Sequence, residues 1–152
     1  MREWLTRPHV AEWWGELPSL AELEAEYGPA IDHEVALSAY LVERAGIRIG
    51  FIQSYTPALL HDDGWWLDEH DTGVRGIDQF LADPDSLGQG LGTAMVRTFV
   101  AEQFRDPTVT RVQTDPEPTN GRAIRCYEKA GFRAAGVVET PDGPALLMYV
   151  ER

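Results

Sequence analysis

The sequence has little cysteine, little positive charge and no long hydrophobic run. A single cysteine, Cys126, excludes an internal disulfide and a cysteine-based zinc cluster, so cysteine usage gives no sign of an oxidising compartment. No apolar run approaches the roughly 20 residues that a membrane-spanning helix needs. The opening stretch, MREWLTRPHVAEWW, is broken by charges and a proline where a signal peptide carries an apolar core, so a cytoplasmic location is expected. Basic residues number 13 against 25 acidic ones, for a formal net charge of −12. Nucleic-acid binders usually show a basic stripe, so neither nucleic acid nor an anionic membrane is an expected partner. An acidic surface attracts polycations such as amino sugars, polyamines or basic peptides, and it also serves plain solubility. Repeats, low-complexity tracts and proline- or glycine-rich linkers are absent as well, which makes one domain, 1–152, the simplest organisation.

A chain of 152 residues with 43% apolar content can bury about 68 to 70% of its unfolded surface, so it needs no disulfide or metal to hold a core. Residues 2 to 14 and 18 to 28 read as two short helices around GELPS, with Ser19 as N-cap and Gly28 as stop. VALSAYLVE and IRIGFIQSY read as an antiparallel pair turning at Ala45 and Gly46. After an acidic, tryptophan-bearing loop, GVRGIDQFL (73–81) reads as a third strand. The second half alternates VTRVQTD as a strand, PTNGRAIRCYEKAGF as a helix, and a hairpin of RAAGVVET and ALLMYVE around Pro141, Asp142 and Gly143. In that helix Thr119 or Asn120 caps the start, and Gly131 stands where a left-handed residue ends it. The total is a mixed α/β domain, in which 73–81 and 109–115 pair in parallel through a right-handed crossover.

Between the third strand and the next helix lies LGQGLGTAMVRTF (87–99). Gly88, Gly90 and Gly92 free the backbone for positive φ and for close approach by a ligand, while Leu91, Met95, Val96, Phe99 and Val100 recur at helical spacing. The first amides of a helix lack internal partners and carry the positive end of its dipole, so the junction suits a phosphate or pyrophosphate. The dinucleotide fingerprint fails because it needs glycine where Thr93 stands, and the P-loop fails for want of a Gly-Lys-Ser/Thr run. On these residues alone, a flexible turn capping an ordinary core helix fits equally well.

A strand, a glycine loop at a helix start, a further strand and NGRAIRCYEKAGF, in that order, resemble the GCN5-related N-acetyltransferase (GNAT) superfamily. Its phosphate loop has the form Arg/Gln-x-x-Gly-x-Gly/Ala; here LGQGLG puts Gly90 and Gly92 in the glycine positions and Leu87 where Arg or Gln is usual. EWWG, QSY, DGWW, GVRGIDQ, LGQGLGT, QTDPEPTN, RAIRCYEKAGF and TPDGPA are similar, in order, to segments of the aminoglycoside 6′-N-acetyltransferases, whereas TPALLH (56–61) matches least. The resemblance implies an α/β GNAT fold. Its central, mostly antiparallel sheet has one parallel pair splayed at the acyl-CoA site, and helices flank it. It also implies acetyl-CoA as co-substrate without metal, an aminoglycoside as the cationic small-molecule partner, and a monomer or homodimer. The acyl-CoA contacts it implies are Gln79, Phe80 and Leu81 on the third strand, Gly88, Gln89, Gly90, Leu91, Gly92 and Thr93 in the loop, and Asn120, Ala123 and Tyr127 beyond it.

A neutral amine can attack a thioester directly, which leaves three tasks: taking a proton from the ammonium, steadying the oxyanion and protonating the departing thiolate. Asp78 is the candidate for the first. Aspartate is disfavoured in strands, yet this one lies inside 73–81, and the resemblance places a carboxylate there beside the reacting amine. It acts directly, through water, or by electrostatic positioning; alternatively it is a carboxylate at a frayed strand end, paired with Arg75 or Arg122. Tyr127 is the candidate acid by the resemblance, against an ordinary reading as a core tyrosine. Cys126, about 100° away around the helix, has no histidine partner in sequence and is not expected to be a nucleophile. A backbone amide around Phe80 or Leu81 is expected to polarise the thioester carbonyl.

On the acceptor side, Asp63, Asp115 and Asp142 offer carboxylates to ammonium groups, and Trp14, Tyr27, Trp65 and Trp66 offer rings to sugars or cations, with Gln53 and Asp78 beside them. Only one of Trp13 and Trp14 is expected to face the cleft. His61 and His70 match no standard metal spacing. A related acyltransferase acting on a siderophore precursor, a polyamine or a protein lysine is the alternative enzyme, and a non-catalytic acyl-CoA-binding module the alternative of another class.

Overall fold

The computed structural model describes residues 1–15, 17–31 and 37–152. Helices α1 (Arg2–Leu5), α2 (Pro8–Trp14) and α3 (Leu20–Ile31) precede the hairpin of β1 (Leu37–Arg44) and β2 (Ile47–Tyr55). Then come β3 (Val74–Leu81), α4 (Leu91–Gln103), β4 (Arg111–Thr114), α5 (Gly121–Ala130) and the hairpin of β5 (Arg133–Thr140) and β6 (Gly143–Glu151). Among the described residues the strands form one sheet in the order β1-β2-β3-β4-β6-β5, antiparallel except for β3 and β4. The expected mixed sheet and its parallel pair are therefore present. The first two residues of the strand expected from 35 lie outside the described residues.

Two boundaries differ from expectation. The first helix is broken because proline drives the residue before it out of the helical region: α1 ends at Leu5 with Thr6 as its cap, and Arg7, at φ −73° and ψ 130°, caps α2 at Pro8. The second runs past Gly28 and Pro29 to Ile31, since Gly28 does not take the left-handed conformation that ends a helix. Its start is as expected: Ser19 Oγ accepts from the Glu22 amide (3.2 Å) while Glu22 Oε2 accepts from the Ser19 amide (2.7 Å), a reciprocal capping box. Asn120, rather than Thr119, caps α5 by accepting from the Ala123 amide at 3.1 Å, and Gly131 ends it at φ 105°.

Alternation along the strands sends side chains to two faces. On one, Phe51 and Phe80 pack with Leu5 and Val10 under α1 to α3; on the other, Ile77, Val112 and Met148 pack with Val96, Val100 and Tyr127 of α4 and α5. The β1–β2 turn places Ala45 at φ 51° and Gly46 at φ 80°, both left-handed as a two-residue hairpin turn of the primed type requires. Alanine costs about 1 kcal/mol there. Ala45→Gly is expected to raise Tm by about 2 to 4 °C in a thermal melt, with activity unchanged.

Candidate active site

The parallel pairing of β3 and β4 is short. Val74, Arg75 and Gly76 pair with Arg111, Val112 and Gln113, after which β4 ends at Thr114 while β3 continues to Leu81. The strands splay, and a cleft opens at their carboxyl ends. On its other side β3 is fully paired with β2, and the Ala82 amide donates to the Ile49 carbonyl (2.9 Å). By alternation, Asp78 and Phe80 turn their backbone groups toward β2, and Gln79 and Leu81 turn theirs to the gap. The amide at Phe80 is thus spent within the sheet, which corrects the expectation that it could serve a bound carbonyl; Leu81 remains of the two. The Leu81 carbonyl is taken, because His9 Nε2–H of α2 donates to it at 3.0 Å.

Gly88 (φ 73°) and Gly90 (φ 79°) are both left-handed, and Gly90 is the N-cap of α4. The Ala94 amide donates to the Gly90 carbonyl (3.0 Å), so the amides of Leu91, Gly92 and Thr93 are left without helical partners. Gly92 is not left-handed. Its lack of a side chain matters for packing: a Cβ there would lie 3.3 Å from Cys126 Sγ on α5. These elements border a cavity of about 540 Å³ that includes Gln79, Phe80, Leu81, Gly88, Gly90, Gly92, Thr93, Asn120 and Ala123. Three expected contacts fall outside it: Gln89, Leu91 and Tyr127, the last of which lines the second cavity described below. The Gln89 side chain donates back to the Asp85 carbonyl (2.6 Å), and the Leu91 side chain packs with Ile52, Leu81 and Met95. Arg122, Arg125 and Lys129 of α5 complete the wall, with no carboxylate among its described lining residues. Arg125 and Lys129 were not singled out in the sequence, and Arg122 only as a partner for Asp78, although the i, i+3, i+7 spacing of the three after Asn120 puts them on one helix face.

A second cavity, about 1370 Å³, adjoins the first, and Trp13, Trp14, Gln79, Asn120 and Ala123 border both. Both tryptophans therefore line the cleft, against the expectation of one. Trp14 is wedged edge-on against Phe51 and Phe80, with ring centroids 5.8 and 4.9 Å apart. The second cavity brings together Trp14, Tyr27, Gln53, Asp63, Trp65, Trp66, Asp78, Asp115 and Asp142, every acceptor-side residue expected from sequence, and also Tyr127. Glu12, Glu26 and Glu117 add carboxylates that sequence reading missed, and no Lys, Arg or His is among the described lining residues. One cavity is lined by cations, its neighbour by anions.

Asp78 sits in mid-strand, not at a frayed end. It is paired across the sheet with Gln53, whose Nε2 donates to Oδ2 at 2.9 Å. The expected alternative pairing with Arg75 or Arg122 is absent: Arg75 donates to the Thr72 and Val74 carbonyls, and Arg122 lines the other cavity. Burial raises the Asp78 carboxyl to about 6, against the opposing Gln53 hydrogen bond and aided by the charge of Glu26. Asp115 is pushed to about 8 by burial and by the charges of Asp78 and Asp142. The Tyr127 phenol, buried beside Thr114 and Gln79, is held above its usual range by desolvation, so it keeps its proton. The Cys126 thiol is raised too, mainly by burial, and accepts from Thr93 Oγ1 at 3.6 Å. It is not an activated nucleophile.

The wall formed by 56–72 is anchored to the sheet. Glu69 pairs with Arg111 of β4, Asp71 accepts from Thr110 Oγ1 (2.9 Å), and the His61 ring bonds the Glu69 carbonyl (2.8 Å). Trp66 is held in a left-handed backbone conformation (φ 54°), unusual for a bulky residue, and such strain gathers at functional sites. Beneath it the Tyr55 ring lies across Gly76, where a Cβ would overlap the ring.

The acetyltransferase (GNAT) domain family matches residues 1–140. The chain is 52% identical to the aminoglycoside N(6′)-acetyltransferase type 1 of Klebsiella pneumoniae, over 99% of this chain and 76% of that protein. It is 60% identical to a kanamycin resistance protein of Rhizobium radiobacter, over 62% of this chain and 87% of that protein. Among solved structures it is similar to an aminoglycoside acetyltransferase in complex with coenzyme A and kanamycin, at 52% identity and a TM-score of 0.92, covering 99% of this chain and 87% of that one. The chain belongs to the GNAT acetyltransferases and, within them, to the aminoglycoside N(6′)-acetyltransferases.

Proposed function

We propose that this chain, acting as a single domain in the cytoplasm, transfers the acetyl group of acetyl-CoA to the 6′-amine of aminoglycosides and so confers resistance to them. The observation that carries the reading is the opposed charge of two adjoining cavities: Arg122, Arg125, Lys129 and the α4 amides beside one, seven carboxylates around the other. A pyrophosphate fits the first and a polycation the second. Acetyl-CoA supplies an electrophilic thioester carbon. Asp78 takes the proton of the incoming ammonium; with its carboxyl raised to about 6, it is a better match to an amine than an ordinary aspartate. The Leu81 amide faces the developing oxyanion, and Tyr127 delivers its phenolic proton to the departing thiolate and is restored by the second proton that the acylated nitrogen sheds.

Thiol release with acetyl-CoA, measured across kanamycin-type aminoglycosides, polyamines and lysine peptides, tests the reading, with NMR of the product locating the acetyl group. Faster turnover of a lysine peptide or a polyamine would assign the site to the alternative amine acceptors. A second measurement tests the acidic basin. Exposed charges are screened over about 8 Å at physiological ionic strength, so the aminoglycoside KM is expected to rise several-fold on going from about 0.05 to about 0.5 M salt, while a monoamine acceptor changes much less.

A further inference from the structure

Asp78 has a second layer that the reaction above does not use. Tyr27 on α3 donates its hydroxyl to Gln53 Oε1 at 3.0 Å, and Gln53 on β2 donates Nε2 to Asp78 Oδ2 at 2.9 Å. The direction of this chain is fixed by chemistry. An ionised carboxylate only accepts, so the amide must turn its NH2 to Asp78, and its carbonyl then needs a donor. Tyr27 is that donor. Desolvation, with the charges of Glu26 and Asp78, keeps its phenol protonated, and its ring is held edge-on against Phe51 with centroids 5.7 Å apart. Gln53 is buried, and both ends of its amide are engaged inside the protein.

We propose that Tyr27 and Gln53 form a positioning relay: Tyr27 fixes the amide of Gln53, and Gln53 holds the Asp78 carboxylate in one orientation and in its ionised form. This replaces the sequence-based expectation that both side chains contact the aminoglycoside, and it rests on the reading of Asp78 as proton acceptor. The groups facing Asp78 give the relay its importance. Glu26 and Tyr27 approach from α3, Tyr55 from β2, Asp115 from beyond β4 and Tyr127 from α5. None is a cation, so the Gln53 N–H is the group here that favours the charged carboxylate. Asp78 and Asp115 also repel each other, so they titrate as a pair, and the relay acts on the lower step.

The test uses the full chain, with Asp side chains 13C-labelled at the carboxyl and the Asp78 signal assigned by its loss in Asp78→Asn. In Gln53→Met the Asp78 signal is expected to titrate about one pH unit higher, the effect of losing one hydrogen bond to an ionised group. Tyr27→Phe, which keeps the ring on Phe51, moves it in the same direction by less, because the released amide can turn its carbonyl to the carboxylate. The acid limb of kcat/KM for the aminoglycoside moves up in parallel, and activity recovers to within a few-fold of the parent above that limb. An Asp78 titration unchanged in both variants overturns the relay, whatever the activity. A raised aminoglycoside KM at every pH with the limb in place also overturns it and returns Gln53 to substrate contact. Should the parent fail to turn over aminoglycosides while the carboxyl signal shifts as expected, the functional reading fails and the relay stands.

Discussion

Asp78→Asn is expected to lower kcat/KM for the aminoglycoside by at least about 10²-fold while raising Tm near neutral pH. Loss of a general base typically costs about 10² to 10⁴ in rate, and the amide keeps the shape of the carboxylate without its basicity. The stability effect has the opposite sign. The folded carboxyl titrates near 6, above the roughly 3.9 of an unfolded aspartate. The fold therefore favours the protonated form, and that stabilisation is complete below about pH 4 and lost as pH rises through 6. The neutral amide escapes the loss. Steady-state kinetics from pH 5 to 9, with melts at the same pH values, separate the two effects, and the acid limb belonging to Asp78 should vanish. Near-normal activity with that limb intact would move the role to Asp115. Tyr127→Phe is expected to cost only about tenfold, because a thiolate leaves tolerably well without full protonation.

Gly76→Ala is expected to be the most damaging small substitution to the fold. The added Cβ would overlap the Tyr55 ring, which is buried and bordered by Trp66 and Asp78 and can give way only toward the acceptor cavity that it lines. Forcing one carbon into a filled site costs about 1 to 3 kcal/mol, or roughly 3 to 10 °C of Tm for a chain of this size. Because the displaced ring forms part of the acceptor cavity, the aminoglycoside KM should rise as well, with the acetyl-CoA KM little changed. A melt indistinguishable from the parent would show that the ring moves freely. Gly76→Ala combined with Tyr55→Leu removes the obstruction and should recover much of the stability.

What the sequence made legible were features set by local rules. The capping box at Ser19, the cap and glycine stop of α5 and the left-handed loop before α4 all follow from residues within a few positions of one another. The break at Pro8 is legible in the same way, since proline keeps the residue before it out of the helical region, and the expected single helix over 2–14 overlooks it. The site's neighbours were harder, since they come from register. Gln53 stands opposite Asp78 only because β2 pairs with β3 in one frame, and Glu12, Glu26 and Glu117 reach the same cavity from three separate parts of the chain. No spacing in the chain encodes that convergence. The Gln89 and Leu91 side chains turn away from the cavity for a related reason: a loop motif specifies backbone positions, while each side chain goes where the nearest partner or core lies.

The acidic basin also bears on how a turnover ends. Acetylation converts one ammonium of the acceptor into an uncharged amide, so the product carries one positive charge fewer than the molecule that entered. Seven carboxylates with no described cation among them hold the more highly charged species more tightly. The reaction thus discharges its own ligand, and the electrostatics that recruit the antibiotic also weaken the grip on what must be released.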